Sequence, residues 1–343
     1  MLEFKNVGEL CRSVRNAKIT KTADPKLRLV QNLNKGVGSE GGFLVGEKLS
    51  TLLINKMYES SKLASRCKRV FVEKNAGSYT FPKISETGRV DGSRHGGISG
   101  QWTPERGAIP ASMPRIGAIE QKLNKLSFLV YASNELLEDC SYFDQLIGDL
   151  IGSEAAFMID NSILRGTGAG QPQGILNSGS LITVQPEVAQ APNTIVFENI
   201  LNMLQRVDAR GFDNLAWFVN VDTLPQIYSM VNLLGVGGSQ VAPVADFGGK
   251  GLHIAGIPVH VIEQASTVGS VGDILLGNFQ EYTISERQVS TAISGEVQYL
   301  TDESAFRFSF RLDGSPDWAE PITPARGAAG VTVSPFVVLG ERA

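Results

Sequence analysis

The longest helical pattern in this sequence lies in residues 141–174, which read SYFDQLIGDLIGSEAAFMIDNSILRGTGAGQPQG. Apolar residues recur there at steps of three and four, which predicts an amphipathic helix with one apolar stripe. The stripe consists of Phe143, Leu146, Ile147, Leu150, Ile151, Met158 and Ile159. At 1.5 Å per residue the helix would be roughly 36 Å long, about the width of a small domain. We call this predicted helix, residues 141–165, the spine helix.

Both ends of the spine helix carry their own signals. Ser141 and Asp144 form a Ser-x-x-Asp capping box at the start. At the other end Gly166 and Gly168 favour the left-handed conformation that closes a helix, and Pro172 directs the chain off the helix axis. The sequence therefore predicts a helix cap and a sharp bend at these three residues.

Composition indicates a mixed protein with a sizeable core. The chain has 343 residues, of which 42% are hydrophobic and 19% are charged. A prior of about 150 residues per domain gives roughly two domains. The 37 Gly and 15 Pro imply many turns and favour a β-rich or mixed architecture over a helical bundle. The net charge of −4 argues against a dedicated nucleic-acid-binding protein, because such domains are usually strongly basic.

Residues that often carry chemistry are sparse. Cys11, Cys67 and Cys140 are odd in number and far apart, which predicts neither a disulfide framework nor a zinc site and favours a reducing compartment. His95, His253 and His260 fit no metal-binding spacing. The sequence has no signal-peptide pattern, no apolar stretch of membrane-spanning length and no catalytic motif. We expect no metal, no cofactor, no membrane contact and no enzymatic activity.

Residues 75–115 predict a long β-hairpin arm. Between Ser85 and Pro114 the sequence has six Gly and three Pro with little periodicity, and predicted strands flank it. An isolated two-stranded arm is marginal in water, so it should need a neighbour. Trp and Arg are common anchors of protein interfaces, and we therefore predict an inter-subunit patch rather than a solvated loop with one tucked-in ring. The predicted patch consists of Arg89, Arg94, Trp102, Glu105 and Arg106.

The first forty residues are basic, with eight Lys or Arg against four acids. One or two helical turns are predicted near Val7 to Val14. Residues 36–41 match a dinucleotide-binding fingerprint, but no strand leads into them, so a hinge at Gly41 and Gly42 is the better interpretation. The segment could be a disordered tail or an extended arm, and the residues leave both open.

Helices and strands alternate after the spine helix, which predicts an α+β or α/β lobe. Helices are predicted from Phe197 to near Gly211 and over residues 222–231 with Asp222 as cap, and a glycine-rich loop over 235–251. Predicted strands cover residues 215–220, 257–262, 274–276, 282–285 and 306–312.

An ordered set of short motifs resembles the tailed-phage major capsid protein family, which has the Hong Kong ninety-seven capsid fold. The set runs from about Gly41 to the C-terminus: GGFLV at 41–45, WTPE at 102–105, SNELLED at 133–139, GTGAGQPQGIL at 166–176, GIPV at 256–259 and RLDG at 311–314. Gly46 stands where the family often has Pro. No single motif is decisive, but the order is fairly specific.

The resemblance implies an α+β fold with interleaved parts. These are an N-terminal arm (1–45), a peripheral domain (46–74 and 116–194) built on the spine helix, an extended hairpin loop (75–115), an axial domain (195–277), strands that return to the peripheral domain (278–314) and a C-terminal segment that joins the axial domain (315–343). In the family, both the N-terminal arm and the hairpin loop reach a neighbouring subunit.

The resemblance also implies a function. Hexamers and pentamers of the chain would tile an icosahedral shell around double-stranded DNA in a bacteriophage or prophage, assembled in the host cytoplasm. Expected partners are other copies of the chain, a portal, a scaffold or maturation protease, a decoration protein, and DNA contacted without sequence preference. Some relatives join subunits by a Lys–Asn isopeptide bond, but this chain has Ala108-Ile109-Pro110 and Ser304-Ala305 at the matching places, so no covalent cross-linking is expected.

Two alternatives stay open at this stage. One is an encapsulin-type nanocompartment shell of the same fold, which would hold protein cargo. The other is an enzyme whose site is assembled from scattered residues without a recognisable motif.

Overall fold

The computed structural model describes residues 47–73, 77–84, 86, 88–90, 97–98, 100–109, 111–133, 143–234, 240–243, 245–246, 251–298, 303–328 and 330–342. The predictions on the N-terminal arm and on Gly41, Gly42, Arg94, His95 and Ser141 lie outside these residues.

The described chain alternates helices with short and long strands. Its α-helices are α1 (Glu47–Ser60), α2 (Phe143–Arg165), α3 (Phe197–Gln205) and α4 (Leu224–Ser229). Its strands are β1 (Lys68–Phe71), β2 (Ser78–Ile84), β3 (Ile116–Lys122), β4 (Asn124–Ser133), β5 (Ile182–Val184), β6 (Ala216–Val219), β7 (Val231–Leu234), β8 (Gln240–Pro243), β9 (Ala245–Asp246), β10 (His253–Ile254), β11 (Ile257–Val261), β12 (Ile274–Gly277), β13 (Tyr282–Gln298), β14 (Glu303–Pro316) and β15 (Phe336–Leu339).

A four-stranded sheet in the order β1-β13-β14-β4 forms one half of the molecule. The long strands β13 and β14 pair antiparallel, and β14 also pairs antiparallel with β4. In β14, Phe306, Phe308 and Phe310 are buried and Arg307 and Arg311 face outward as predicted, but Ser309 on the predicted outward face is also buried. These late strands thus return to the sheet that packs with the spine helix.

The spine helix is confirmed as α2, but its buried face differs from the predicted stripe. Ile147, Ile151 and Ile159 are buried, together with Ala155 and Ile163, against α1 and the four-stranded sheet. Leu146, Leu150 and Met158 are instead partly exposed. Apolar residues occupy both sides of this helix, so periodicity alone could not select the side that packs.

A seven-stranded sheet in the order β5-β15-β12-β6-β11-β10-β9 forms the other half. Trp217 and Phe218 of β6 lie at its centre and are fully buried. Strand β5 pairs in parallel with β15. Ile182–Val184 therefore lies in this sheet, ahead of residue 195, where the axial domain is predicted to begin.

Three local predictions also need correction. Helix α3 ends at Gln205, ahead of Gly211, and a 3₁₀ helix follows at Ala209–Asn214. The cap of the next helical segment is Asn220, whose side chain accepts a hydrogen bond from the backbone N–H of Asp222. The predicted loop over 235–251 contains β8 and β9, and β8 pairs antiparallel with β7.

Candidate assembly interface

The hairpin arm is a two-stranded ribbon. Strands β2 and β3 pair antiparallel, with Ser78 opposite Lys122 at one end and Ile84 opposite Ile116 at the other. The two strands pair only with each other among the described residues. We call residues 77–90 and 116–122 the arm base, and residues 100–113 the arm tip.

Gln121 fastens one end of the arm base to the four-stranded sheet. Its side chain is 1% exposed, and its Nε2 donates to the carbonyl of Thr283 and to Ser315 Oγ, each at 2.9 Å. Ser285 Oγ donates to its Oε1. Because every polar atom of the buried amide has a partner, the arm leaves the sheet in a fixed direction.

An ion cluster fastens the other end of the arm base. Arg89 Nε lies 2.5 Å from Glu86 Oε1, and Arg89 Nη1 lies 3.0 Å from Asp208 Oδ1. Arg210 Nε also contacts Asp208, at 2.8 Å. The backbone N–H of Arg89 donates to the carbonyl of Thr323 at 2.9 Å. The arm base is thereby tied to the segment after α3 and to the C-terminal segment of the same chain.

The electrostatics of this cluster follow from its burial and its pairing. Burial by itself would raise the pKa of Asp208, but hydrogen bonds and charge from Arg89 and Arg210 hold this pKa below its usual value. Burial opposes the charge of Arg89, yet Glu86 and Asp208 raise its pKa overall. Both groups are therefore charged at neutral pH.

The arm tip presents its apolar side chains to solvent. Trp102 is as exposed as a free side chain (103%), and Ile109 and Met113 are more than 80% exposed. Glu105 and Arg106 are exposed as well, in a turn closed by a hydrogen bond from the Gly107 N–H to the Pro104 carbonyl. Large exposed apolar side chains in one segment are typical of an interaction surface.

The structure separates the predicted interface residues into two groups. Arg89 pairs with Glu86 and Asp208 of its own chain, and its inter-subunit role stays a prediction. Trp102, Glu105 and Arg106 lie in the exposed tip, and Arg94 is outside the described residues. The inter-subunit role of the tip residues stays a prediction.

Backbone hydrogen bonds and glycine conformations close the end of the spine helix and form the bend that follows it. Gly166 N–H donates to the Ser162 carbonyl, and Gly174 N–H donates to the Gly166 carbonyl, each at 2.8 Å. A Cβ on Gly166 would lie 2.0 Å from the Pro172 carbonyl oxygen, so only glycine fits. Gly168 has a φ of +77°, in the left-handed region.

Sequence reasoning missed a buried carboxylate that orders the turn after α1. Asp160 of α2 accepts hydrogen bonds from Ser61 Oγ and from the backbone N–H groups of Lys62, Leu63 and Ala64, at 2.6 to 3.3 Å. It therefore caps the 3₁₀ helix Ala64–Arg66. An acid on the buried side of an amphipathic helix was the available signal.

The described residues offer little for catalysis. No group of three or more His, Cys, Asp or Glu among them could hold a metal ion. Burial, together with Arg66 and Lys62, lowers the pKa of His260 to about 4, and its Nε2 lies 2.5 Å from the Arg66 guanidinium. Burial raises the pKa of the Cys67 thiol. In the described part of the chain, no helix is long and apolar enough to cross a membrane.

Comparison with known proteins decides the family. The model of the phage capsid family matches residues 41–327. The chain belongs to the phage capsid family. It is a major capsid protein, a structural protein that associates with itself in the virion capsid. No curated protein gives a significant match.

Solved structures show the same fold at low sequence identity. The capsid of a native GTA particle matches with a TM-score of 0.60 at 18% identity, over 83% of this chain and 91% of that chain. A protein of Microbacterium phage Oxtober96 matches with a TM-score of 0.54 at 14% identity, over 95% and 98%. One of Mycobacterium phage Adephagia matches with 0.54 at 12%, over 93% and 98%. The α+β capsid fold of the Hong Kong ninety-seven type is therefore confirmed.

Proposed function

We propose that this capsid protein assembles as hexamers and pentamers into an icosahedral shell that encloses double-stranded DNA, with the arm tip of each subunit lying on a neighbour. The observation that carries the proposal is the complete exposure of Trp102, with Ile109 and Met113 also exposed in the same arm tip. Burying one such side chain is worth about 1.5–3 kcal/mol, and a shell repeats the gain at every subunit.

The proposed mechanism is geometric. The arm base is fixed to its own subunit by Gln121 and by the ion cluster of Arg89, which leaves the arm tip to reach outward. Many repeated contacts between subunits then hold the shell together. Small rotations between the halves built on the four-stranded and the seven-stranded sheet permit a compact precursor shell to expand. No catalytic step is needed, so we propose a purely structural role.

The proposal includes the absence of covalent cross-links. Ala108 and Ile109 are exposed in the arm tip, where a cross-linking relative carries Lys. Ser304 and Ala305 are buried in β14 and supply no Asn. Mature particles should give subunit-sized bands in denaturing gels, and a ladder of multiples would refute this part.

Further partners follow from the same role. We propose assembly in the bacterial host cytoplasm with a portal, a scaffold or maturation protease, and a decoration protein. The formal charge of −4 fits a wall that contacts packed DNA without sequence preference.

Sedimentation and negative-stain microscopy of the purified chain, alone and with scaffold, test the proposal. Closed shells of megadalton mass that protect DNA from nuclease are expected. Shells that hold only protein would favour a nanocompartment. A stable small oligomer that never closes, even with scaffold, would contradict the proposal.

A further inference from the structure

The four-stranded sheet has one side that does not pack against α1 and α2. Phe306, Phe308 and Phe310 of β14 point into the core that these two helices share with the sheet. Because side chains alternate along a strand, Arg307 and Arg311 point to the opposite side, where both are exposed. We call this side of β13, β14 and β4 the outer sheet face and define it by Lys125, Leu129, Tyr131, Arg287, Arg307 and Arg311.

Three cations lie side by side across the outer sheet face. Arg311 of β14 is directly opposite Arg287 of β13 and Lys125 of β4 in the strand register. Neighbouring strands are about 4.8 Å apart, so the three backbone positions span roughly 10 Å. Arg307, on the same strand as Arg311, adds a fourth cation roughly 13 Å further along. Like charges directly opposite each other destabilise a sheet, so this row lowers the stability of the isolated subunit.

These four cations have no acidic partner in the described part of the chain. No described carboxylate forms an ion pair with any of them. Glu303 and Asp313 lie at the two ends of the same side of β14, where both are half-buried. Asp313 accepts a hydrogen bond from the Asn124 amide instead of pairing with a cation. The row therefore offers its charge to a group outside the subunit.

Exposed apolar side chains adjoin the cations. Leu129 is directly opposite Arg307, and Tyr131 follows on the same side of β4. Leu129 is 56% exposed and Tyr131 is 45% exposed. Tyr and Arg are enriched among the anchors of protein interfaces. Surfaces that bind nucleic-acid phosphates use cations and polar groups and gain little from an exposed leucine. The combination favours an acidic protein over a nucleic acid.

The arm base covers only one end of the outer sheet face. Gln121 contacts Thr283 and Ser285, and Ser285 is directly opposite Asp313 in the strand register. Beyond that end, the side chains of Lys125, Leu129, Tyr131, Arg307 and Arg311 are exposed among the described residues. The cations and the apolar side chains are thus open together in the single subunit.

We propose that the outer sheet face binds an acidic segment of a partner protein that also presents an aromatic or aliphatic side chain. Carboxylates of this segment form charge-assisted hydrogen bonds with Arg307 and Arg311. Its apolar side chain packs on Leu129 and Tyr131. The proposal concerns the single subunit, so it does not depend on closure of the chain into a shell.

Binding of two acidic polymers to the full-length, unassembled subunit tests the proposal. The first probe is a random copolymer of glutamate and tyrosine, and the second is poly-L-glutamate of the same length. The double variant Arg307→Gln/Arg311→Gln is compared with Arg326→Gln, whose arginine is exposed in the C-terminal segment. Fluorescence anisotropy gives each dissociation constant at one fixed salt concentration, because charged contacts are screened by salt.

The copolymer should bind the parent subunit about tenfold more tightly than poly-L-glutamate, because only the copolymer supplies an apolar anchor. The double variant should lose at least about tenfold in affinity for the copolymer, and Arg326→Gln should stay within about twofold of the parent. Equal losses in the two variants would overturn the proposal, since binding would then follow net charge alone. Absence of copolymer binding to the parent would overturn it as well.

Other occupants give different results in the same assay. Duplex DNA that binds the parent as tightly as the copolymer, and is released by the same double variant, would replace the protein partner with a nucleic acid. Sedimentation of the parent and the double variant tests for a second copy of the chain. Self-association that only the parent shows would make that copy the occupant. Either result would overturn the choice of an acidic partner protein.

A further pair of variants separates binding from folding. Arg311→Gln removes the middle charge of the row, so the melting temperature of the subunit should stay or rise while affinity falls. Leu129→Ser should weaken binding of the copolymer about threefold or more and leave poly-L-glutamate binding unchanged. A melting temperature that falls together with affinity in Arg311→Gln would contradict the proposal, because Arg311 would then stabilise its own subunit.

Discussion

The arm base and the arm tip belong to one hairpin but make opposite use of their side chains. The base uses its polar groups within its own chain: Gln121 is buried with three hydrogen bonds, and Arg89 joins Glu86 and Asp208. The tip leaves Trp102, Ile109 and Met113 in solvent. Contacts within the subunit therefore fix the position of the arm base, while the exposed apolar residues of the tip stay available to bind a neighbouring subunit. Subunit stability and assembly should respond to different substitutions.

Arg89→Ala should give the largest loss of subunit stability. It leaves the largely buried carboxylates of Glu86 and Asp208 without their main partner, which costs about 3 kcal/mol. Urea unfolding of the unassembled subunit measures the loss. Arg210→Ala is the matched control, because Arg210 is more exposed and its loss should cost under about 1 kcal/mol. Equal losses for the two variants would show that Arg89 does not hold the arm base.

Gln121→Ala should destabilise the subunit by about 2 kcal/mol, because it leaves the Thr283 carbonyl and two serine hydroxyls without a buried partner. The matched control is Gln101→Ala in the arm tip, where the glutamine is exposed and only a long contact to Ala108 is lost. Thermal unfolding of both variants decides. If the two variants had the same melting temperature, the arm base would not be anchored at Gln121.

Trp102→Ala should separate assembly from folding. The exposed indole contributes nothing to the isolated subunit, so its unfolding should stay within about 0.5 kcal/mol of the parent chain. Particle melting and yield should fall, as for loss of an interface anchor worth about 2 kcal/mol. Val188→Ala, an exposed apolar residue outside the arm, is the control. If particle melting and yield were unchanged, Trp102 would not be part of the interface.

The Asp208 contact should weaken in acid. The pKa of Asp208 is lowered in the folded chain by Arg89 and Arg210, so its contribution is fully present above the unfolded pKa and is lost as pH falls through the folded pKa. The difference in unfolding free energy between the parent and Asp208→Asn should therefore shrink from roughly pH 5 to pH 3. A constant difference over that range would contradict the assignment.

The sequence was informative where structure is set locally. The apolar period predicted α2, and Gly166 predicted its end because no side chain fits beside the Pro172 carbonyl. The alternation from Phe306 to Leu312 predicted the buried face of β14. The ordered motifs supplied the fold, which local patterns alone would have left as a mixed α+β protein.

Local sequence patterns could not predict the contacts between distant parts of the chain. Gln121 meets Thr283 across 162 positions, and Arg89 meets Asp208 across 119. Nothing near Arg89 distinguishes it from Arg106, yet one is buried in an ion cluster and the other is exposed. The packing side of α2 was missed for a related reason, since Leu150 and Ile151 are equally apolar and only α1 selects between them.

The most direct test of the account is a cryo-electron microscopy map of the assembled particle that resolves the side chain of Trp102. We expect the indole to lie buried against a neighbouring subunit, with Arg89 still paired to Asp208 of its own chain. An indole that faces solvent, or that packs on its own subunit, would contradict it.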